Sequence, residues 1–313
     1  MEWLKKGRIF VPDGHNSLAI THAQVPVPVH FPEENRIRIF FSCRDSQSRS
    51  RPFYIDVDDE NPKKILKLAD KPILELGALG TFDDCGVMPS WIVEYNDIHY
   101  MYYIGWNVRN TIPYHNAVGL AISEDNCQTF KKYSTGPLWD RDYIEPHYSG
   151  TSCVLIENGV WKNWYLSCTE WRKINGIVEP RYHIKYAESL DGIVWKRKGL
   201  VAIDYLDDNE AGIVKASVLK EDSIYKMWFS FRKFDGYREN INASYRIGYA
   251  ESKDGINWQR FDTTNSNTLD VSKDGWDSLM VEYPHVFRVK EKLMMLYNGN
   301  GFGATGFGFA VKE

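Results

Sequence analysis

Short runs in which side chains change character with a period of two recur along the whole chain, as in His99-Tyr100-Met101-Tyr102-Tyr103-Ile104 and Tyr225-Lys226-Met227-Trp228-Phe229-Ser230. Successive side chains of a strand point to opposite faces, and these runs are rich in aromatic and β-branched residues. Each therefore predicts a β-strand. The runs belong to a longer unit. Residues Tyr182-His183-Ile184-Lys185-Tyr186-Ala187-Glu188-Ser189-Leu190-Asp191-Gly192-Ile193-Val194-Trp195 return as Tyr245-Arg246-Ile247-Gly248-Tyr249-Ala250-Glu251-Ser252-Lys253-Asp254-Gly255-Ile256-Asn257-Trp258. A weaker copy runs from Gly119 to Asp125 and closes on Phe130, and Gly306-Phe307-Gly308-Phe309-Ala310 repeats the strand half alone.

Aligning Ala121, Ala187, Ala250 and Ala310 gives spacings of 66, 63 and 60 residues, so 313 residues hold about five copies. That period is too long for forty-residue propeller repeats or paired-helix solenoids. Within a copy, the Asp-Gly of Ser-x-Asp-Gly-x-x-Trp predicts a tight hairpin, because glycine tolerates positive φ and the aspartate can bond the turn backbone. An element repeated at equivalent positions packs unit against unit, so Asp191, Asp254, Trp195 and Trp258 read as scaffold. The segments Trp195-Lys196-Arg197-Lys198-Gly199-Leu200-Val201 and Trp3-Leu4-Lys5-Lys6-Gly7-Arg8-Ile9 share a Trp-x-basic-x-Gly-x-aliphatic pattern, and the last copy stops short of such a strand. The expectation is an all-β, five-bladed β-propeller of four-stranded antiparallel blades. It forms one domain over residues 1–313, and its ring is closed by the N-terminal strand.

Composition adds the setting. Hydrophobic residues at 43%, aromatics at 14% and charged residues at 26% describe a globular chain with a large core. No apolar stretch reaches membrane-spanning length, and the N-terminus lacks the pattern of a signal peptide. Five cysteines without a CxxC pair fit free thiols in a cytoplasmic protein and offer no zinc site or other metal site. A formal net charge of −4 gives no reason to expect nucleic acid or a membrane as partner.

Candidate chemistry concentrates at the predicted starts of first strands and in the loops after second strands, which a propeller gathers at one mouth. Strand starts carry His22 and Gln24, Asp83 and Asp84, Glu145, Glu210 with Lys215, and Glu282 with Tyr283. The loops carry Arg44 and Asp45, Trp106 and Asn107, Glu170 and Trp171, Arg232, and Asn298. These positions differ from copy to copy, which favours a site over a scaffold. Carboxylates, cations and aromatic rings together suit a sugar, whose apolar faces stack and whose hydroxyls take bidentate partners. Two carboxylates could also cleave a glycosidic bond as acid and base. Asp84, paired with Asp45, Glu145, Glu210 or Glu282, is the candidate catalytic set. Asp83 is expected to cap its turn.

The Ser-x-Asp-Gly-x-x-Trp hairpins, the Phe82-Asp83-Asp84-Cys85-Gly86-Val87 segment and the second strands resemble the five-bladed propeller superfamily of arabinanases, β-xylosidases, invertases, levansucrases and β-mannoside phosphorylases. Thr21-His22-Ala23-Gln24-Val25-Pro26, Arg44-Asp45, Tyr103-Ile104-Gly105-Trp106-Asn107 and Tyr297-Asn298-Gly299-Asn300-Gly301-Phe302-Gly303 are similar to propeller proteins of bacterial surface-polysaccharide clusters. They are similar also to the propeller domain preceding the transferase of plant glucosamine inositolphosphorylceramide transferases. The resemblance implies a hydrolase or phosphorylase acting on a sugar or oligosaccharide, possessing no organic cofactor. Blade one departs from the hydrolase pattern, with His22 and Gln24 where a base is expected. The phosphorylase pattern implies a basic cluster for inorganic phosphate as co-substrate, here Arg44, Arg49, Arg51, Lys215 and Arg232. The second expectation is a non-catalytic glycan-binding or accessory propeller in surface-polysaccharide biosynthesis that uses the same pocket. Under either expectation an anionic or phosphorylated sugar fits the cations of the site.

Overall fold

The computed structural model describes residues 2–262 and 267–312. Alternation along the sequence becomes five consecutive antiparallel units of four strands. The first unit holds β2 (Thr21–Phe31), β3 (Arg36–Arg44), β4 (Ser50–Asp58) and β5 (Ile65–Leu68), after β1 (Trp3–Phe10). The second holds β6 (Gly86–Tyr95), β7 (Ile98–Val108), β8 (Tyr114–Ser123) and β9 (Lys131–Lys132). Next come β10 (Val154–Glu157), β11 (Val160–Ile174), β12 (Ile177–Ser189) and β13 (Lys196–Ile203), then β14 (Glu210–Glu221), β15 (Ile224–Lys233), β16 (Arg246–Ser252) and β17 (Gln259–Arg260). The last has β18 (Glu282–Val289), β19 (Lys292–Asn298) and β20 (Phe307–Lys312), and its fourth strand is β1, which pairs antiparallel with β20 from Trp3↔Lys312 to Phe10↔Phe307. Among the described residues, helix is confined to single turns at Pro32–Glu34 and Asn300–Gly303, and no helix is long and apolar enough to cross a membrane.

The first strands neighbour one another in sequence order: β2 touches β6, β6 touches β10, and β14 touches β18, which touches β2. Between the third and fourth units, β11 and β12 pack on β14. Most first strands carry register shifts, at Thr21/Gln24 and Gln24/Val27 in β2, Pro89/Trp91 in β6, Val214/Ser217 in β14 and Glu282/His285 in β18. Such bulges bend a strand and re-aim its side chains. They set Val25, Lys215 and Tyr283 at φ of 54°, 56° and 55°, a strained region for non-glycine residues and most of all for β-branched Val25.

The repeated turn is a six-residue loop rather than the expected tight hairpin, since β12 ends at Ser189 and β13 begins at Lys196. Asp191 Oδ1 accepts the N–H groups of Ile193 and Val194, both at 2.8 Å, and Asp254 Oδ1 does the same for Ile256 and Asn257. Gly192 and Gly255 take φ of 73° and 78°. Each turn is sealed from the preceding unit, where Tyr102 Oη donates to the Gly192 carbonyl and Trp164 Nε1 to that of Gly255, both at 2.7 Å. Aromatic clusters of this kind fill the space between units, and Trp3 of β1 packs edge-on against Trp228 of the fourth unit at 5.9 Å.

Candidate functional site

A cavity of about 380 Å³ opens among the strand starts of all five units, a size typical of ligand pockets. Its floor is apolar, formed by Val25, Met88, Ile104, Leu166 and Val214. Its walls carry six tyrosines, Tyr114, Tyr148, Tyr182, Tyr237, Tyr245 and Tyr283, together with Trp106 and Phe302. Arg44, Arg232 and Arg238 also line it, and among the described residues no aspartate or glutamate does. Trp106 can lie against β6 because residue 86 is glycine: a Cβ there would stand 1.8 Å from Trp106 Nε1.

Arg232 is fully buried on β15. Its Nε donates to the hydroxyls of Tyr182 (3.3 Å) and Tyr245 (3.2 Å), and its other nitrogens donate to the carbonyls of Lys233 and Pro180. The two hydroxyls also hydrogen-bond each other. Among the described residues no carboxylate forms an ion pair with its guanidinium, although Glu282 is near enough to feel its charge, and the guanidinium lies 3.9 Å from the centroid of the Tyr237 ring. Arg44, at the end of β3, donates through Nε to Gln24 Oε1 at 3.0 Å. Its charge and, first, burial push the pKa of neighbouring His22 down to about 4. Guanidinium groups and tyrosine side chains therefore line the cavity together.

Of the residues expected from sequence, Gln24, Arg44, Trp106, Arg232 and Tyr283 line this cavity. The carboxylates do not. Asp45 accepts from Arg49 and Arg51 and from the Gln47 and Arg49 backbone. Burial opposes ionisation there, yet these bonds hold its pKa at about 2, so Asp45 is a loop clamp rather than an acid. Arg49 and Arg51 are thereby removed from the expected phosphate cluster. Glu145 is buried and satisfied by Tyr165 (2.6 Å), Ser167 (2.9 Å) and Arg197 (3.4 Å). Glu210 takes a two-pronged bond from Arg260, and Glu170 pairs with Arg172 and Arg181.

Neither of the two neighbouring aspartates takes its expected place, and neither lines the cavity. Asp84 Oδ2 accepts the Gly80 N–H at 2.9 Å and caps the turn, whereas Asp83 is buried and takes Lys132 (2.6 Å), Tyr103 (3.1 Å) and Thr81 (3.0 Å). Asn298 serves the β2 bulge: its Oδ1 accepts from Val25 N and its Nδ2 donates to the Ala23 carbonyl. Asn107 donates to the Thr81 carbonyl, and Trp171 stands behind the wall against Tyr114 and Tyr148.

Lys215 is wholly buried, its Nζ 4.7 Å from the centroid of the Trp91 ring and without a hydrogen-bond partner, and burial lowers its pKa to about 7. His285 stacks on the same Trp91 at 4.1 Å. These three side chains come from different units, and none of them lines the cavity. Glu282 is equally buried, and neither oxygen meets a donor in good hydrogen-bond geometry. Burial raises it well above the usual carboxylate range, against the pull of Arg232, Arg44 and the Tyr283 hydroxyl. Among the described residues no group of three or more His, Cys, Asp or Glu is placed to hold a metal ion, and all five cysteines are unpaired.

Sequence reasoning missed most of the wall. Tyr114, Tyr148, Tyr182, Tyr237, Tyr245, Arg238 and Phe302 reach the cavity from third strands and long loops. A signal was present in Tyr182 and Tyr245, which open the two best copies of the repeat.

No protein-family profile matches the chain. Two Mycobacterium tuberculosis proteins, the uncharacterized protein Rv1502 of strain H37Rv and the uncharacterized protein MT1551 of strain CDC 1551, are each 39% identical to it over 313 residues, with both chains fully covered. Among solved structures, a glycoside hydrolase aligns with a TM-score of 0.74 at 17% identity, covering 98% of this chain and 90% of that one. A thermostable family-43 glycoside hydrolase aligns with a TM-score of 0.65 at 19% identity, covering 95% and 90%. A structure from work on GH130 mannoside phosphorylases and hydrolases that target β-1,2 mannosidic linkages in Candida mannan aligns at 0.71 and 14% identity, covering 99% and 93%. The chain belongs to the family of the mycobacterial protein Rv1502, and it shares its fold with these glycoside hydrolase structures.

Proposed function

We propose that the five units are the blades of a propeller closed by β1, and that its central funnel recognises a sugar bearing a negative charge, as a uronic acid or a sugar phosphate. The observation that carries this reading is the cavity lining: tyrosines and a tryptophan for the ring, three arginines for the anion, and no carboxylate. Guanidinium groups match carboxylate and phosphate oxygens bidentately, and here they lie in a partly dry site where the attraction is less screened. Hydrolysis by a carboxylate pair is the less favoured chemistry, because Asp45, Glu145 and Glu210 are each tied to arginine and Asp84 caps a turn.

A phosphorolytic or transfer enzyme is the second reading. What favours it is Glu282, a buried carboxyl near Arg44 and Arg232 whose ionisation is opposed by burial. In that reading inorganic phosphate or another anion is the nucleophile, and a cytoplasmic setting fits the unpaired cysteines.

Calorimetric titration with glucuronate, glucose 1-phosphate and neutral glucose separates these readings from a neutral-sugar site. Anionic sugars should bind at least tenfold more tightly than glucose, and equal affinity would overturn the proposal. Cleavage of oligosaccharides with phosphate present, and none without it, would select the enzyme reading.

A further inference from the structure

The segment 234–245 joins β15 to β16 and spans twelve residues, against two for the 175–176 turn of the preceding unit. It delivers Tyr237 and Arg238 to the cavity wall. Both are held by one carboxylate of that preceding unit. Glu179 on β12 is 3% exposed, and it accepts from Arg238 NH1, from Arg238 NH2 at 3.3 Å and from the Tyr237 hydroxyl at 3.0 Å. Asn175 Nδ2, donating to Asp235 Oδ1 at 3.0 Å, ties the same two segments together.

The Tyr237 ring meets two guanidinium groups, that of Arg232 at 3.9 Å and that of Arg238 at 4.3 Å from its centroid. Arg238, with half its side chain exposed, would by itself sample many rotamers, and fixing it only on binding would weaken affinity. A guanidinium has five N–H donors, so Glu179 can hold two and leave the rest for a ligand.

We propose that Glu179 is a positioning residue for anion recognition: it fixes Tyr237 and Arg238 on the wall, so that Arg238 adds a third guanidinium to those of Arg44 and Arg232. This rests on the anionic-sugar reading of the pocket. The opposite role, a carboxylate that merely neutralises Arg238, makes the reverse prediction and is tested with it.

Glucose 1-phosphate is the probe, titrated into wild type, Glu179→Gln, Arg238→Ala and the double variant. Glu179→Gln keeps size and an acceptor for Tyr237 but drops the ion pair. It should weaken binding about tenfold, Arg238→Ala should do likewise, and the double variant should bind no worse than Arg238→Ala, because the effects act through one side chain. Tighter or unchanged binding in Glu179→Gln, or fully additive losses, would overturn the proposal. Hydrogen exchange of the unliganded protein supplies a readout without ligand: Glu179→Gln should speed exchange in 234–245 while distant strands stay unchanged, and unaltered exchange there overturns the positioning role. A wild type that binds neither this probe nor glucuronate would instead overturn the anionic-sugar reading itself.

Discussion

The turns at Ser189–Trp195 and Ser252–Trp258 and the starts of the first strands obey opposite rules. In the turns, like residues do like work: each aspartate caps two N–H groups, each glycine takes positive φ, and an aromatic side chain from the preceding unit closes the turn. At the strand starts residues differ from unit to unit, and the expectation was that difference marks function. Geometry divides that set. Gln24 and Tyr283 face the cavity, as does Arg44 from a loop after a second strand, but Glu145 and Glu210 at strand starts and Asp45 beside Arg44 share the structural task of pairing with arginine. Conversely, Tyr182 and Tyr245 repeat at equivalent positions and both line the cavity. Recurrence reports packing only where the repeated side chain points between units; near the axis, repeated residues converge on one shared space.

Removing β1 tests the outer, repeating architecture most severely. Deleting residues 1–10 strips the ladder from β20 and removes Trp3 from Trp228. An open sheet edge and an unfilled aromatic contact should abolish a cooperative melt or lower it by about 10 °C or more. A truncated chain that melts like wild type would show that β1 clasps nothing.

Within the scaffold the effect should follow burial rather than motif membership. Trp164 is fully buried and donates to Gly255, so Trp164→Ala should cost about 4 kcal/mol in denaturant unfolding. Trp258 belongs to the motif itself yet is only partly buried, and Trp258→Ala should cost about half as much. Neither should alter glucose 1-phosphate affinity in the folded fraction. Equal costs would mean that the motif tryptophan, not the one sealing it, carries the turn.

At the centre, Arg44→Ala should weaken that probe about tenfold, or ~1.4 kcal/mol, and flatten the salt dependence of binding. His22 offers a check in the same place. Its pKa falls from 6.5 unfolded to about 4 folded through burial and the Arg44 charge, so the unfolded chain binds more protons between those values. Stability is therefore full above pH 6.5 and drops as pH falls toward 4. In Arg44→Ala that decline should shallow, because one of the two causes of the shift is gone. An unchanged thermal-melt profile against pH would separate His22 from Arg44.

These differences explain how much could be read in advance. Period-two runs, the Asp-Gly turn and the kinship of Trp3-Leu4-Lys5 with Trp195-Lys196-Arg197 report local geometry, which a sequence carries directly. Whether an acid faces a cavity or an arginine depends on a partner far along the chain, such as Arg260 for Glu210 or Arg197 for Glu145, and no spacing announces it. Lys215 shows the same limit: at a strand start it resembles a phosphate ligand, but the bulge at Val214/Ser217 carries it to the face of Trp91.

Lys215→Met keeps the length of the stem and removes a buried amine without a hydrogen-bond partner, so it should stabilise by about 1 kcal/mol, near 2 °C in melting temperature. The sign with pH is fixed by burial, which lowers the folded pKa from 10.5 to about 7. Folding therefore sheds protons between these values, and the lysine costs more as pH falls from 10.5 to 7. The gain from Met should be larger at pH 7 than at pH 9.5. A gain equal at both would show that the amine is solvated in the folded protein.

Smallest of all should be Asp84→Asn, at a residue that the sequence marks as a catalytic candidate. A catalytic Asp84 would lose its titration in this variant, and turnover would fall about a hundredfold with the fold intact. The geometry supplies another expectation. The side chain accepts a backbone N–H from Gly80, whose φ of 90° makes the turn, and an asparagine oxygen accepts the same bond without charge. Asp84 stands off the cavity, so neither probe affinity nor its salt dependence should change, and stability should move by less than about 0.5 kcal/mol. Asp83→Asn is the paired control: it breaks a buried carboxylate that holds Lys132 and Tyr103, and it should destabilise by ~2 kcal/mol or more. If Asp84→Asn instead abolished turnover of a glycoside while Asp83→Asn left it intact, the carboxylate at the turn would be the catalytic one, and the line between clamps and site residues would have to be redrawn through this pair.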